Sequence, residues 1–219
     1  MTSPNVASHR IADQLRAKIL AGSWVPGERI RQEELAEEYQ ASRIPVREAL
    51  RILETDGLVQ VVSNQGAWVA SLTRDECLEQ YEIRERLEPL LLRESLANLT
   101  AAQLAKLDEL ATQMQANRDV AGFMQLDREF HMLSYSGAPN TTLKEIVERL
   151  WNTTQHYRRA YANIAGSPGL DVTHLEHKLL VEAITRRDSE DAERMIAGHI
   201  RRTRLLLAQH PEVFATPTA

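Results

Sequence analysis

The chain has a single cysteine, Cys77, in 219 residues, which excludes an intrachain disulfide and any metal site built from paired thiolates. It has no apolar run near the roughly 20 residues needed to cross a bilayer, so no membrane partner is expected. The N-terminus, Met-Thr-Ser-Pro-Asn, lacks a basic start and an apolar core; a secretory signal is therefore not expected, and a cytoplasmic location is. Internal repeats and low-complexity stretches are missing as well. Positive charge is scarce: the net charge is −5, and residues 1–71 carry eight Arg/Lys against nine Asp/Glu. Any contact with nucleic acid must then rest on where charge is placed. What remains, 43% hydrophobic and 26% charged, is the composition of an ordinary globular chain, long enough for two modest domains with separate cores.

Ile11, Leu15 and Ile19 recur every four residues beside Ala12, which predicts a first amphipathic helix from about Ser8 to Ala21. Gly22 ends it and Pro26-Gly27 makes a turn. A short second helix spans about Gln32 to Tyr39, with Leu35, Ala36 and Tyr39 inward. Ser42 is placed to cap a third helix through its hydroxyl, and Pro45 is tolerated in that first turn because the amides there have no intrahelical acceptors. Val46, Ala49, Leu50 and Leu53 form the buried face of this helix, while Arg43, Arg47 and Arg51 repeat on a separate stripe. Asp56-Gly57 closes it. Leu58 to Val62 and Ala67 to Ala70 then read as two strands joined through Asn64-Gln65-Gly66. Three short helices followed by a hairpin is the order of a winged helix-turn-helix.

Arginine bonds phosphate oxygens and makes bidentate contacts to guanine O6 and N7 in the major groove. A helix whose first turn displays Ser42, Arg43 and Arg47 offers those donors together with its own free N–H groups, and a narrow glycine tip suits the adjacent minor groove. Taken alone, the same stripe also reads as a solvated face paired with Glu48 or Glu54. The continuous run from Glu34 to Val59, Glu-Leu-Ala-Glu-Glu-Tyr-Gln-Ala-Ser-Arg-Ile-Pro-Val-Arg-Glu-Ala-Leu-Arg-Ile-Leu-Glu-Thr-Asp-Gly-Leu-Val, resembles the signature of the GntR superfamily of DNA-binding transcriptional regulators. Gln40 stands where that family usually has glycine, and Ala41 where it usually has valine. The resemblance implies a dimer on a near-palindromic double-stranded DNA operator, with Arg43 and Arg47 contacting DNA from the recognition helix. Ser42 and the wing tip, Asn64, Gln65 and Gly66, join them, and Arg31 is a phosphate candidate.

After Ser71 the chain reads as six helices, which makes the fold class mainly α: a winged helix-turn-helix over residues 1–71, a helical bundle over 72–209 and a flexible tail over 210–219. Thr73-Arg-Asp-Glu76 and Thr100-Ala-Ala-Gln103 have capping-box spacing. They open helices to about Asn98, bent at Pro89, and to about Gln115. Further helices are expected from about Val120 to Ser136, Thr141 to Asn163, Val172 to Arg186 and Ser189 to Gln209, with Gly137-Ala-Pro139 and Gly166 to Gly169 as breaks.

Asp127 and His131, four apart, share a helix face with Val120 and Met124. His177 lies in a stripe with Leu180 and Ile184, and His199 in one with Met195, Ile196, Ile200 and Thr203. One carboxylate and three imidazoles thus tend inward from three helices, as ligands of a divalent cation in a bundle core do. Hydrogen-bonded core histidines and an intrahelical pair are the plainer alternative. His174, one turn before His177, is a competitor.

The segments Leu126 to His131, Glu176 to Ile184 and Ala192 to His199 resemble the ligand-bearing segments of the FCD effector domain of FadR-group GntR regulators. The resemblance implies that Asp127, His131, His177 and His199 hold the cation, as zinc, nickel, iron or manganese, and six helices suit its VanR-like branch. Tyr81-Glu-Ile-Arg84 followed by Glu88 resembles the opening helix of that domain, whose arginine faces the pocket; a surface pair between Arg84 and Glu88 is the alternative. Tyr81, Arg84 and Arg158, the last on one helix with Trp151 and Tyr157, are the effector-binding candidates. A guanidinium near a cation suits a small organic acid, since both can bind its oxygens. The expected function is a ligand-responsive regulator, a repressor, and not an enzyme. A metal-dependent hydrolase or a metal sensor is the alternative, and the Asp127 to His131 segment shows no paired general base for the hydrolase.

Overall fold

The computed structural model describes residues 4–63, 65–117 and 119–214. The described residues divide into two compact units. One holds those of Met1–Thr73, Glu148–His156 and Phe214–Ala219, the other those of Arg74–Val147 and Tyr157–Val213.

In the first unit, α1 (Pro4–Leu20), α2 (Gln32–Glu38) and α3 (Arg43–Thr55) are followed by the hairpin β2 (Val59–Val62) and β3 (Gly66–Val69). A two-residue strand, β1 (Arg29–Ile30), adds to the outer edge of β3, so the antiparallel sheet has the order β1-β3-β2. The sequence reading missed β1, because two residues are too short to show alternation. Ile11, Leu15 and Ile19 of α1 meet Val46, Leu50 and Leu53 of α3 in a dry core, where each large aliphatic side chain is worth roughly 1.5–3 kcal/mol of burial. Ile30, Ala67 and Val69 close that core from the sheet, and outward residues alternate with them.

Two turn positions bear on expectation, and one departs from it. Ser42 is the N-cap of α3, but its hydroxyl makes no capping bond. The third residue of the helix is Pro45, which has no N–H to give, so the hydroxyl stays exposed. Gln40 sits between α2 and α3 with φ 48, the left-handed conformation that glycine adopts without cost and other residues adopt at about 1–2 kcal/mol. Gln40 thus holds a backbone that glycine, the family's usual residue there, would adopt without strain.

Six helical elements follow among the described residues: α4 (Arg74–Leu96), α5 (Ala101–Ala116), α6 (Val120–Ser134), α7 (Thr141–Thr153), α8 (Gln155–Thr185) and α9 (Ser189–Ala208). Thr100 and Gln103 form the expected capping box of α5. α4 runs on through Pro89. α4 packs along α9, and α5 along α6.

The expected helix from Thr141 to Asn163 is instead broken at Thr154. The Thr153 and Thr154 hydroxyls donate back to the carbonyls of Arg149 and Leu150, the local competition by which threonine disturbs a helix. The expected break over Gly166 to Gly169 narrows to Gly166 alone (φ 58, ψ −169), a kink inside α8. Trp151 and Arg158 therefore lie on different helices.

Residues 148–156 belong to the first unit. There Asn152 Nδ2 donates to the Asp56 carbonyl at 2.9 Å and Arg149 Nη1 to that of Thr55 at 2.6 Å. Part of the expected tail, Pro211–Val213, is a 3-10 turn; residues 215–219 lie outside the described ones. No described helix is long and apolar enough to cross a membrane.

Candidate functional site

The exposed face of the first unit gathers arginines by periodicity and sheet register. Arg43, Arg47 and Arg51 stand on the side of α3 away from its buried residues. Arg29, opposite Trp68 in the register, lies 5.8 Å over that ring and donates from Nη2 to the Gln65 carbonyl at 3.1 Å. One groove is lined by Arg29, Arg31, Arg47, Arg51, Gln65 and Gly66. Gly66 has φ 138, a backbone that a side chain would strain.

Of the residues expected at DNA, Arg31, Arg47, Gln65 and Gly66 meet in this groove, while Ser42 and Arg43 lie at the front of α3, exposed. Asn64 lies outside the described residues. Surface carboxylates neutralise much of the basic charge: Arg31 pairs with Glu34 at 2.9 Å, Arg43 with Glu33 at 3.4 Å and Arg51 with Glu48 at 3.6 Å. Arg47 makes no ion pair among the described residues. Glu54, an expected arginine partner, instead accepts from the Val61 N–H at 3.1 Å. Arg29 was missed for the same reason as β1.

The second unit places its ionisable groups inside. Asp127 and His131 come from α6, His177 from α8 and His199 from α9, and one ligand atom of each lies within 4.8 Å of all the others. The His131 and His177 Nε2 atoms are 3.2 Å apart, and Asp127 Oδ1 is 3.6 and 3.3 Å from them. Atoms that share a cation at 2.0–2.1 Å stand about 3–3.4 Å from one another; the Asp127, His131 and His177 atoms are close to that spacing, and the His199 ligand atom lies within 4.8 Å of each, a donor set suited to a first-row divalent metal. His174 is buried edge-on against Phe123 at 5.7 Å and does not join the cluster.

Electrostatics favour the ligating states. Burial would raise the Asp127 carboxyl, but hydrogen bonds and charge from His131 and His177 outweigh it and hold Asp127 well below the usual range. Burial pushes His131 down to about 4 despite Asp127, with His177 and His199 adding to the effect. His177 is lowered by burial too. Around neutral pH the site is one carboxylate with neutral His131 and His177 imidazoles, as metal binding requires. His199 Nδ1 faces Glu176 at 3.1 Å, and Glu176 also pairs with Arg202. That contact orients the ring and leaves Nε2 for the cluster.

Beside the cluster, Arg84 Nε donates to Glu88 Oε1 at 2.5 Å, with both side chains buried. The alternative of a pair was right in partner and wrong in place. Tyr135 donates to the other Glu88 oxygen at 2.6 Å, and its hydroxyl is 3.4 Å from His131 Nδ1. Arg84 covers the Tyr81 ring at 4.8 Å. Arg158, on α8, stands 3.9 Å from Asp127 Oδ2; burial and the charge of Arg84 press its pKa down, though a guanidinium stays charged. Sequence reasoning missed Tyr135 and Glu176. Tyr135 carried a signal, the next four-residue step after Asp127 and His131. Glu176 carried none, because its contact with α9 is tertiary.

A winged helix-turn-helix with an arginine-lined groove, and a helical unit with a buried carboxylate and imidazole cluster, define a transcriptional regulator with an effector domain. Residues 7–69 match the bacterial regulatory proteins of the gntR family and residues 79–202 match the FCD domain. The chain belongs to the GntR family, in its FCD-bearing group. It is 29% identical over 191 residues to the uncharacterized HTH-type transcriptional regulator YdhC of Bacillus subtilis, spanning 85% of this chain and 84% of that one. It is 27% identical to the HTH-type transcriptional repressor GlaR of Escherichia coli, over 85% of this chain and 89% of that one. Among solved structures, E. coli McbR/YncC aligns with a TM-score of 0.81 at 25% identity, over 95% of this chain and 99% of that one. The family and the relatives YdhC and GlaR are transcriptional regulators, not enzymes.

Proposed function

We propose that this regulator binds a near-palindromic operator as a dimer, acts as a repressor, and responds to a small carboxylate through a divalent cation held by Asp127, His131, His177 and His199. The observation that carries the reading is the convergence of four ligand atoms within 4.8 Å in the core that also buries Arg84 and Arg158. A bound cation would supply Lewis acidity, an electrostatic anchor for carboxylate oxygens. Arg84 and Arg158 supply positive charge and N–H donors in a low-dielectric setting, where bidentate contact with a carboxylate is strong. Glu88 fixes Arg84 from behind, and Tyr135 fixes Glu88, so the guanidinium is oriented before a ligand arrives. Tyr81 supplies the flat surface under it.

In the first unit, Arg43, Arg47 and Ser42 read the operator from α3, while Arg31, Asn64, Gln65 and Gly66 hold the backbone and the neighbouring groove. The repressor assignment leans on GlaR, named as one. Signalling requires that the acid bind better to one arrangement of the dimer than to the other.

The test measures operator affinity under three separate additions: chelator, metal, and a panel of organic acids with metal. The reading expects acids to weaken binding when metal is present and to do nothing after chelation. Affinity that follows the metal alone would make the cation itself the signal. Protein that retains no metal and cannot be loaded would overturn the metal-dependent part.

A further inference from the structure

At about 100° of rotation per residue, the outward arc of α3 contains Arg43, Arg47, Arg51, Ile44 and Glu48 in about 140°. Val46, Ala49, Leu50 and Leu53 fill the opposite side, all buried. Ile44 is the exception in the outward arc, an aliphatic side chain that is 73% exposed, flanked by Arg51 and Glu48 on a face otherwise made of charge. Exposed aliphatic residues on other elements, such as Val6 and Val25, are unremarkable by themselves. Position distinguishes Ile44. It occupies the second residue of the helix, between Arg43 and Pro45, in the turn that a recognition helix presents to base edges.

We propose that Ile44 reads a thymine in the operator by packing on its C5-methyl group. This rests on the assignment of α3 as the DNA-reading helix. A branched aliphatic side chain has no donor or acceptor. Against guanine, adenine or cytosine it would strip water from polar groups and return no hydrogen bond. The thymine methyl is the apolar feature of the major-groove edge, and burying it against Ile44 rewards a residue that otherwise gains nothing from its place. The thymine stands next to a base pair or phosphate met by Arg43 or Arg47, one turn of helix apart. Burial of one methyl corresponds to about a fourfold preference in affinity.

Uracil gives a clean probe, since it keeps every hydrogen-bonding group of thymine and lacks only the methyl. Wild-type protein is first used to select binding sites from random duplexes at low ionic strength. Each thymine of the selected site is then replaced singly by uracil, and affinities are measured for wild type, Ile44→Ala and Ile44→Thr. The expected result is one position per half-site where uracil weakens wild type about fourfold and leaves Ile44→Ala unchanged. The other positions should respond alike in all three proteins. A wild type indifferent to uracil everywhere, or an Ile44→Ala variant with the same uracil response, would overturn the proposal while leaving the DNA-reading assignment standing. Failure of wild type to enrich any sequence would overturn both. Because Ile44 is exposed, the variants are expected to keep the wild-type melting temperature, which is checked alongside.

Discussion

The two units hold their charges in opposite ways. On the first, Arg31, Arg43 and Arg51 lie exposed beside carboxylates three to ten residues away, at 2.9–3.6 Å; such pairs are worth about 0–1 kcal/mol. In the second, Arg84, Glu88 and Asp127 are all but fully buried, where a charge without its partner is costly. The surface pairs break at little loss. The interior set is committed in advance to its own buried partners.

The sharpest way to break the comparison is Glu88→Gln, which leaves Arg84 buried without its counter-charge. A loss of about 3–5 kcal/mol in urea-unfolding stability is expected. Because Arg84 outweighs burial and holds the Glu88 carboxyl below its ordinary 4.5, the pair contributes fully above that pH and is lost as pH falls through the folded value. The acid limb of the stability curve should therefore be shallower in Glu88→Gln than in wild type. Equal stability of the two proteins at pH 7 would show that the interior pair is not committed as described.

Arg47→Ala comes next. With its side chain exposed and off the packed face, it should leave the melting temperature in place and remove about 1–3 kcal/mol of discrimination between operator and random DNA. An unchanged footprint would refute its role. Gln40→Gly relieves the left-handed strain at φ 48 and should stabilise the protein by about 1 kcal/mol, read as a higher urea midpoint. The smallest effect is expected from Glu33→Gln. Stability should move by less than about 0.5 kcal/mol, while DNA affinity at low salt rises because Arg43 loses a competitor; salt titration would show a steeper dependence.

The contrast also explains what could be read from the residues alone. The DNA-reading unit is built from neighbours in sequence: one apolar stripe per helix, an arginine every fourth residue, a turn between strands. Its pattern is therefore mostly local; what escaped it was β1, with two residues, and the distant segment 148–156 that the unit includes. The interior site was half local. Asp127 and His131 share a helix face by spacing, whereas Glu176 of α8 meets His199 of α9 through a contact made only in the folded chain. The break at Thr154 was hidden for another reason. Neither Thr153 nor Thr154 marks a helix end in sequence; in the fold their hydroxyls turn back to Arg149 and Leu150 where α7 ends and Trp151 parts from Arg158.

The proposed regulation requires that the buried cluster and the exposed arginines be coupled. The most direct measurement is the affinity of an effective carboxylate for metal-loaded protein, by calorimetric titration, with and without saturating operator. Linkage requires that operator weaken acid binding by the same factor that acid weakens operator binding. That equality is the predicted result. An acid that binds with the same affinity in both titrations would contradict the account.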